Sequence, residues 1–209
     1  MIRDELKGLL GFIEKAEGLK REMRHSWLSD RRRESVAEHT WRMSLMAIML
    51  KDKLSVDVNL EKVLKMVIVH DLVEIEAGDV SALDQLRDPA IRENKAKKEL
   101  AAIENIRTEL GQGLGEEFYR LWMEFEERET NEAKFSNALD KLEVQIQHNQ
   151  APLDTWEEIE FEMLYMMDKH VAFDENLRLF KDEIVREAED KMKHQGIISE
   201  KYRPKSADE

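Results

Sequence analysis

Val67-Ile68-Val69-His70-Asp71-Leu72-Val73-Glu74-Ile75-Glu76-Ala77-Gly78-Asp79 decides how this chain folds. Apolar residues (Val63, Leu64, Met66, Val67, Ile68, Val69, Leu72, Val73 and Ile75) run almost continuously around the helix it predicts. That helix, placed at about residues 60–76, is therefore expected at the centre of a core. His70 and Asp71 stand side by side inside it. A lone buried carboxylate is costly unless something takes up its charge, and a divalent metal is the simplest partner for such a pair. Glu74 follows His70 by four residues and Asp71 by three, so a continuous helix puts all three near one face. Asp79 comes just past Gly78, a helix terminator.

The rest of the chain supports a helical, single-domain reading. Among 209 residues there are eight glycines and three prolines, and helix formers dominate, so the class is all-α. Residues 3–22 read as an amphipathic helix, with Leu6, Leu9, Leu10, Phe12, Ile13 and Leu19 on its apolar side. Ser35-Val36-Ala37-Glu38 is a capping box that opens a helix running to Leu50, with His39 in its first turn and Met43, Met46 and Met49 as a packing stripe. Further helices are predicted at about 90–110, 116–128, 130–149, 153–169 and 174–194, with a loop over 78–89 and a loose polar tail over 195–209. Asp140 lies beside the apolar stripe of the 130–149 helix, where pairing with Lys141 or Lys134 is the plain reading.

Charge excludes several classes. The formal net charge is −13, against a general nucleic-acid or membrane-surface binder. No cysteine is present, so disulfide and thiol chemistry are out and any metal must take N and O ligands. No apolar segment approaches the roughly 18–20 residues of a membrane span, and the early acids lack a secretory core, so a cytoplasmic protein is expected. One segment opposes the global charge: Lys20, Arg21, Arg24, Arg31, Arg32 and Arg33 gather around His25 and Trp27. A solvated loop and an anion-binding site both fit it, since the guanidinium fork suits phosphate.

Taken together, His39, the His70-Asp71 pair and the distant Asp140 resemble the H…HD…D signature of the HD-domain metal-dependent phosphohydrolases. The flanking text narrows the resemblance: Glu-Ser-Val-Ala-Glu-His (34–39), Val-His-Asp-Leu-Val-Glu (69–74), Gly-Asp (78–79), Glu-Ala-Lys-Phe (132–135) and Leu-Asp-Lys-Leu-Glu (139–143) are similar to the 5′-deoxynucleotidase branch. The likeness extends over roughly residues 10–150. It implies an HD-domain helical bundle over 1–194, with core motifs at 24–143 and C-terminal helices at 153–194.

The resemblance implies that His39, His70, Asp71 and Asp140 ligate one divalent metal ion, with Mn, Co, Mg and Zn all open. Glu74 is then the acid/base beside a metal-activated water, Asp79 a contact to the sugar, and Arg24 the holder of the phosphate. Some relatives place a Trp directly after that Arg, crowding the 2′ position; here His25 follows, and Trp27 is the aromatic, so either is a candidate for the sugar contact. Between Asp71 and Asp140 no histidine occurs, which fits a mononuclear site and simple phosphomonoester hydrolysis. His148, His170 and His194 fall outside every matched motif and read as surface or structural. The expected substrate is a deoxyribonucleoside 5′-monophosphate. The alternatives are a ribonucleotide, a nucleoside triphosphate, or a helical protein that binds metal or nucleotide without turnover. The family is usually dimeric, and Trp156, Met163, Met166 and Met167 read as either interface or core.

Overall fold

A computed structural model of the chain describes residues 2–204. Helices dominate: α1 (Ile2–Lys15), α2 (Val36–Leu50), α3 (Leu60–His70), α4 (Glu74–Ala77), α5 (Ala82–Arg87), α6 (Pro89–Leu110), α7 (Leu114–Glu127), α8 (Asn131–Gln150), α9 (Glu158–Met163), α10 (Asp168–Val171) and α11 (Glu175–His194). The strands are β1 (Met23–Trp27) and β2 (Arg33–Ser35), one antiparallel pair. No described helix is long and apolar enough to cross a membrane.

α3 lies between two apolar clusters, which is why its sequence is apolar nearly all round. Val63 and Val67 face α2, α8 and the C-terminal helices, while Met66 and Val69 pack with α6 and α7. Ile68 is the exception to the expected full burial, being 51% exposed. The predicted 60–76 helix also ends early, at His70. Leu72 N–H then reaches back only three residues to the Val69 carbonyl, Asp71 adopts φ −97° and ψ 3°, and α4 starts afresh at Glu74. Consecutive residues on a continuous helix point about 100° apart. Leaving the helix between them lets His70 and Asp71 aim at one place, in the backbone region where many active-site residues sit.

Other boundaries shift for identifiable reasons. The first helix stops at Lys15, and a 3-10 turn (Ala16–Lys20) brings Gly18 against Ile75; a Cβ there would sit 3.3 Å from that side chain. The basic segment, for which a solvated loop and an anion-binding site both fitted, is the β1–β2 ribbon, closed by a turn with Arg31 at φ 68° and Leu28 N–H donating to the Arg32 carbonyl. Within the 78–89 loop, Ser81 caps the short α5. The 153–169 helix is in fact broken: a 3-10 turn (Leu153–Thr155) precedes α9, which a Glu157–Glu160 capping box starts, and α10 follows separately. Trp156 donates its indole N–H to the His148 carbonyl and is buried, so this segment wraps the core instead of running past it. Met43 and Met46 are core residues as expected, but Met49 is exposed. Part of the predicted loose tail is packed: Ile197 and Tyr202 lie against the core, Tyr202 stacked on Phe161 at 4.9 Å. Residues 205–209 of that tail lie outside the described residues.

Candidate active site

Three helices deliver the four sequence-predicted ligands. The Ser35–Glu38 capping box, present with both of its hydrogen bonds, starts α2 so that His39 falls one turn in, fully buried. His70 ends α3, Asp71 follows in the turn, and Asp140 comes from α8. His39 Nε2 lies 3.4 Å from Asp140 Oδ1 and 3.9 Å from Asp71 Oδ2; His70 Nε2 lies 3.1 Å from Asp71 Oδ1. Ligand atoms of His39, His70 and Asp71 all fall within 4.8 Å of one another.

The other nitrogen of each ring fixes its tautomer. His39 Nδ1 pairs with Glu143 Oε2 at 2.5 Å, and His70 Nδ1 donates to the Val67 carbonyl at 2.7 Å. Both Nε2 atoms, and Asp71 Oδ2, are buried without a hydrogen-bond partner among the described residues. Leaving such groups unsatisfied costs about 1–3 kcal/mol each. Two imidazole lone pairs and two carboxylates converging with outward-paired Nδ1 atoms fit one divalent cation, and the N/O set suits borderline or hard ions.

Charges around this cluster are arranged unequally. Burial works to raise the Asp71 and Asp140 carboxyls, yet both are held below the ordinary range, Asp71 by His70, His39 and Arg24, Asp140 by Lys141 and His39. Lys141 Nζ sits 2.8 Å from Asp140 Oδ2, so the plain pairing expected for Asp140 coexists with its place in the cluster. Arg24 reaches from β1, with Nη1 3.8 Å from Asp71 Oδ2 and Nε 3.6 Å from Glu34 Oε2. Burial opposes its charge, but Asp71, Asp79 and Asp140 hold its pKa above the usual value. Burial first, then the Asp71 and Asp79 carboxylates, push the Glu74 carboxyl up to about 10. Asp79 is raised as well, mainly by burial; its backbone N–H donates to Glu22 Oε1 at 2.8 Å, and Gly78 at φ 75° makes the turn that places it.

These groups line a cavity of about 210 Å³. Arg24, His25, Glu74, Asp79, Asp71 and Asp140 all face it. His39 and His70 stand behind its wall and are not among its lining. Trp27 is not brought to it: the Arg33 guanidinium covers its ring at 3.8 Å, and its carbonyl accepts from Gln147. Of the two candidate sugar contacts, His25 alone lines the cavity.

Five contributors escaped the sequence reading. Lys95 of α6 lines the cavity, is paired with Glu99, and was hidden in a lysine-rich helix. Glu143 holds His39 and is itself approached by Arg42 at 3.4 Å; its place three residues after Asp140 was the available signal. His148 and His170, read as surface or structural, both line the cavity. Glu160 does too, with Oε1 3.5 Å from His25 Nε2 and 3.4 Å from His148 Nε2; burial pushes its carboxyl up to about 7 and the His148 imidazole down to about 4.

Residues 16–178 match the family model described as HD domain. The chain is 35% identical over 144 residues to the 5′-deoxynucleotidase HDDC2 of Danio rerio, spanning 68% of this chain and 68% of that protein. The Homo sapiens protein of the same name is 34% identical over 143 residues, 68% of this chain and 67% of that one. Among solved structures, a "predicted metal-dependent phosphohydrolase" from Magnetospirillum magnetotacticum MS-1 superposes with a TM-score of 0.72 at 27% identity, over 90% of this chain and 94% of that chain.

Proposed function

The chain belongs to the HD-domain family, and from that premise we propose that it is a metal-dependent phosphomonoesterase. Its substrates are deoxyribonucleoside 5′-monophosphates, which it converts to deoxynucleoside and phosphate. One observation carries the reading: the unpartnered Nε2 atoms of His39 and His70 meet the Asp71 and Asp140 carboxylates beside a cavity that also holds Arg24, Glu74 and Asp79.

His39, His70, Asp71 and Asp140 would hold one divalent cation. When bound, it supplies Lewis acidity, polarising the phosphoryl group and lowering the pKa of a ligated water. Arg24 holds phosphate oxygens, where a guanidinium stabilises charge that grows in the transition state. Glu74, whose raised carboxyl carries a proton, orients the attacking water and gives that proton to the departing 5′-oxygen as the water's proton replaces it. The P–O5′ bond breaks as the water oxygen bonds to phosphorus. Asp79 and His25 contact the sugar. Glu143 and the Val67 carbonyl keep both rings in the tautomer that points Nε2 inward.

The test is phosphate release from metal-stripped protein with Mg, Mn, Co or Zn restored singly. Matched deoxy- and ribonucleoside 5′-monophosphates and 3′-monophosphates are the substrates. Release confined to 5′-deoxy compounds is the expected result. Equal release from ribonucleotides makes it a broader nucleotidase, and no release with any metal overturns the reading.

We further propose that it works in the cytoplasm, with its nucleotide substrates, as a homodimer or higher homo-oligomer. Of the late-helix residues read as either interface or core, Trp156 and Met167 are buried in the core, and Met163 and Met166 line the cavity. α2 instead exposes Trp41, Leu45, Ile48 and Met49 on one face, a stripe that a second copy would cover. Trp41→Glu should leave a monomer by light scattering; an unchanged mass would move the interface elsewhere.

A further inference from the structure

Met23 pairs with Ser35 across the β1–β2 ribbon, and that register sets Arg24 beside Glu34. Glu34 Oε2 lies 3.6 Å from Arg24 Nε. Glu34 is fully buried, and neither of its carboxylate oxygens has a hydrogen-bond partner among the described residues. A carboxylate so deeply placed is costly unless a cation answers it, and an apolar residue would fill the same strand position at less cost.

Two carboxylates meet here. Ligand atoms of Glu34, His39 and Glu143 fall within 4.8 Å of one another, and Arg42 Nε lies 3.4 Å from Glu143 Oε1. Two guanidiniums therefore answer the two carboxylates, with no second ion needed. Glu143 already has His39 and Arg42, which leaves Glu34 to Arg24.

The Arg24 guanidinium is approached from two sides. Nε faces Glu34, while Nη1 lies 3.8 Å from Asp71 Oδ2. Asp71 makes a poor fixed anchor, because its carboxylate is also a ligand in the metal cluster. Glu34 has no second task. We propose that Glu34 is a positioning residue for phosphate binding, fixing Arg24 by Nε so that the Nη groups of the fork are left for phosphate oxygens. A long side chain gives up rotamer freedom when it engages a ligand, and a partner that holds it beforehand lowers that cost.

The proposal rests on Arg24 as the phosphate holder and extends that reading to what holds Arg24. Calorimetric titration of inorganic phosphate into the metal-loaded full chain tests it without turnover. Burial and Glu143 push the Glu34 carboxyl up to about 7, so pH 8 keeps it mostly ionised. Glu34→Met, similar in length but without an acceptor, should lower phosphate affinity about tenfold or more. Glu34→Gln keeps an acceptor oxygen and is the gentler change should the methionine variant fail to fold; it should lower the affinity severalfold. On an Arg24→Ala background Glu34→Gln should lower it no further, and each Glu34 variant should keep the wild-type metal content. A general disturbance of the ribbon would weaken binding on both backgrounds alike. Unchanged affinity in Glu34→Gln, an equal loss on the Arg24→Ala background, or lost metal overturns the proposal. The expected losses without phosphate release from any nucleotide would uphold the positioning role and strike the hydrolytic reading alone.

Discussion

Beside and behind the cavity, α2, α3 and α8 supply His39, His70 and Asp140 from long helices packed in the core. Elsewhere the walls come from the β1–β2 ribbon and the interrupted α9–α10 segment, which carry His25, Glu160 and the methionines. The first group is held by hydrogen bonds of its own, His39 by Glu143 and His70 by the Val67 carbonyl. Around Glu160 the contacts are looser, with both imidazole nitrogens at 3.4–3.5 Å. Reactivity demands ligand atoms fixed in one arrangement, and helices braced from several sides provide that.

The difference is open to attack by substitution. Glu74→Gln should have the largest effect, lowering kcat by about 10²–10⁴-fold, the usual worth of a positioned acid or base, with the metal content of the protein unchanged. A variant with normal kcat would remove Glu74 from the chemistry. Glu143→Gln leaves all four ligands in place but loosens the grip on His39; metal affinity should fall about 10–100-fold by competition with a chelator. An unchanged affinity would mean that the bracing of His39 matters no more than the looser contacts around Glu160.

Glu160→Gln probes the second region through stability. Burial raises the Glu160 carboxyl from 4.5 to about 7 in the folded protein. The folded state then binds that proton more tightly than the unfolded state, so its contribution is full below pH 4.5 and is lost as the pH rises through about 7. The variant, which cannot ionise, should match the wild type near pH 4.5 and exceed it at pH 8, by on the order of 2 kcal/mol in urea denaturation. A difference independent of pH would show that Glu160 carries no buried charge there.

Those same regions differ in how far they can be read from sequence. Ligands on long helices announce themselves by local pattern: the Ser35–Glu38 box fixes where His39 falls, and the apolar run around His70-Asp71 requires a central position. What the run does not disclose is the turn after His70, because Leu72 and Val73 continue the apolar pattern on through the break. The β1–β2 ribbon escaped because its residues are charged and polar, with Ser26, Glu34 and Ser35 buried by tertiary contacts that no periodicity encodes. The α9–α10 break escaped for a related reason: Phe161, Leu164, Met167 and Val171 fit a helical spacing yet bury themselves across separate short elements. Trp27 was a reasonable aromatic candidate beside Arg24; the ribbon sends its ring under Arg33.

The most direct test measures bound divalent metal per chain and phosphate release on the same samples, in the wild type and in Asp71→Ala. One ion per chain with metal-dependent release in the wild type, and loss of both in the variant, is what this account predicts. Release that persists in metal-free protein, or an ion retained at full stoichiometry after Asp71→Ala, would contradict it.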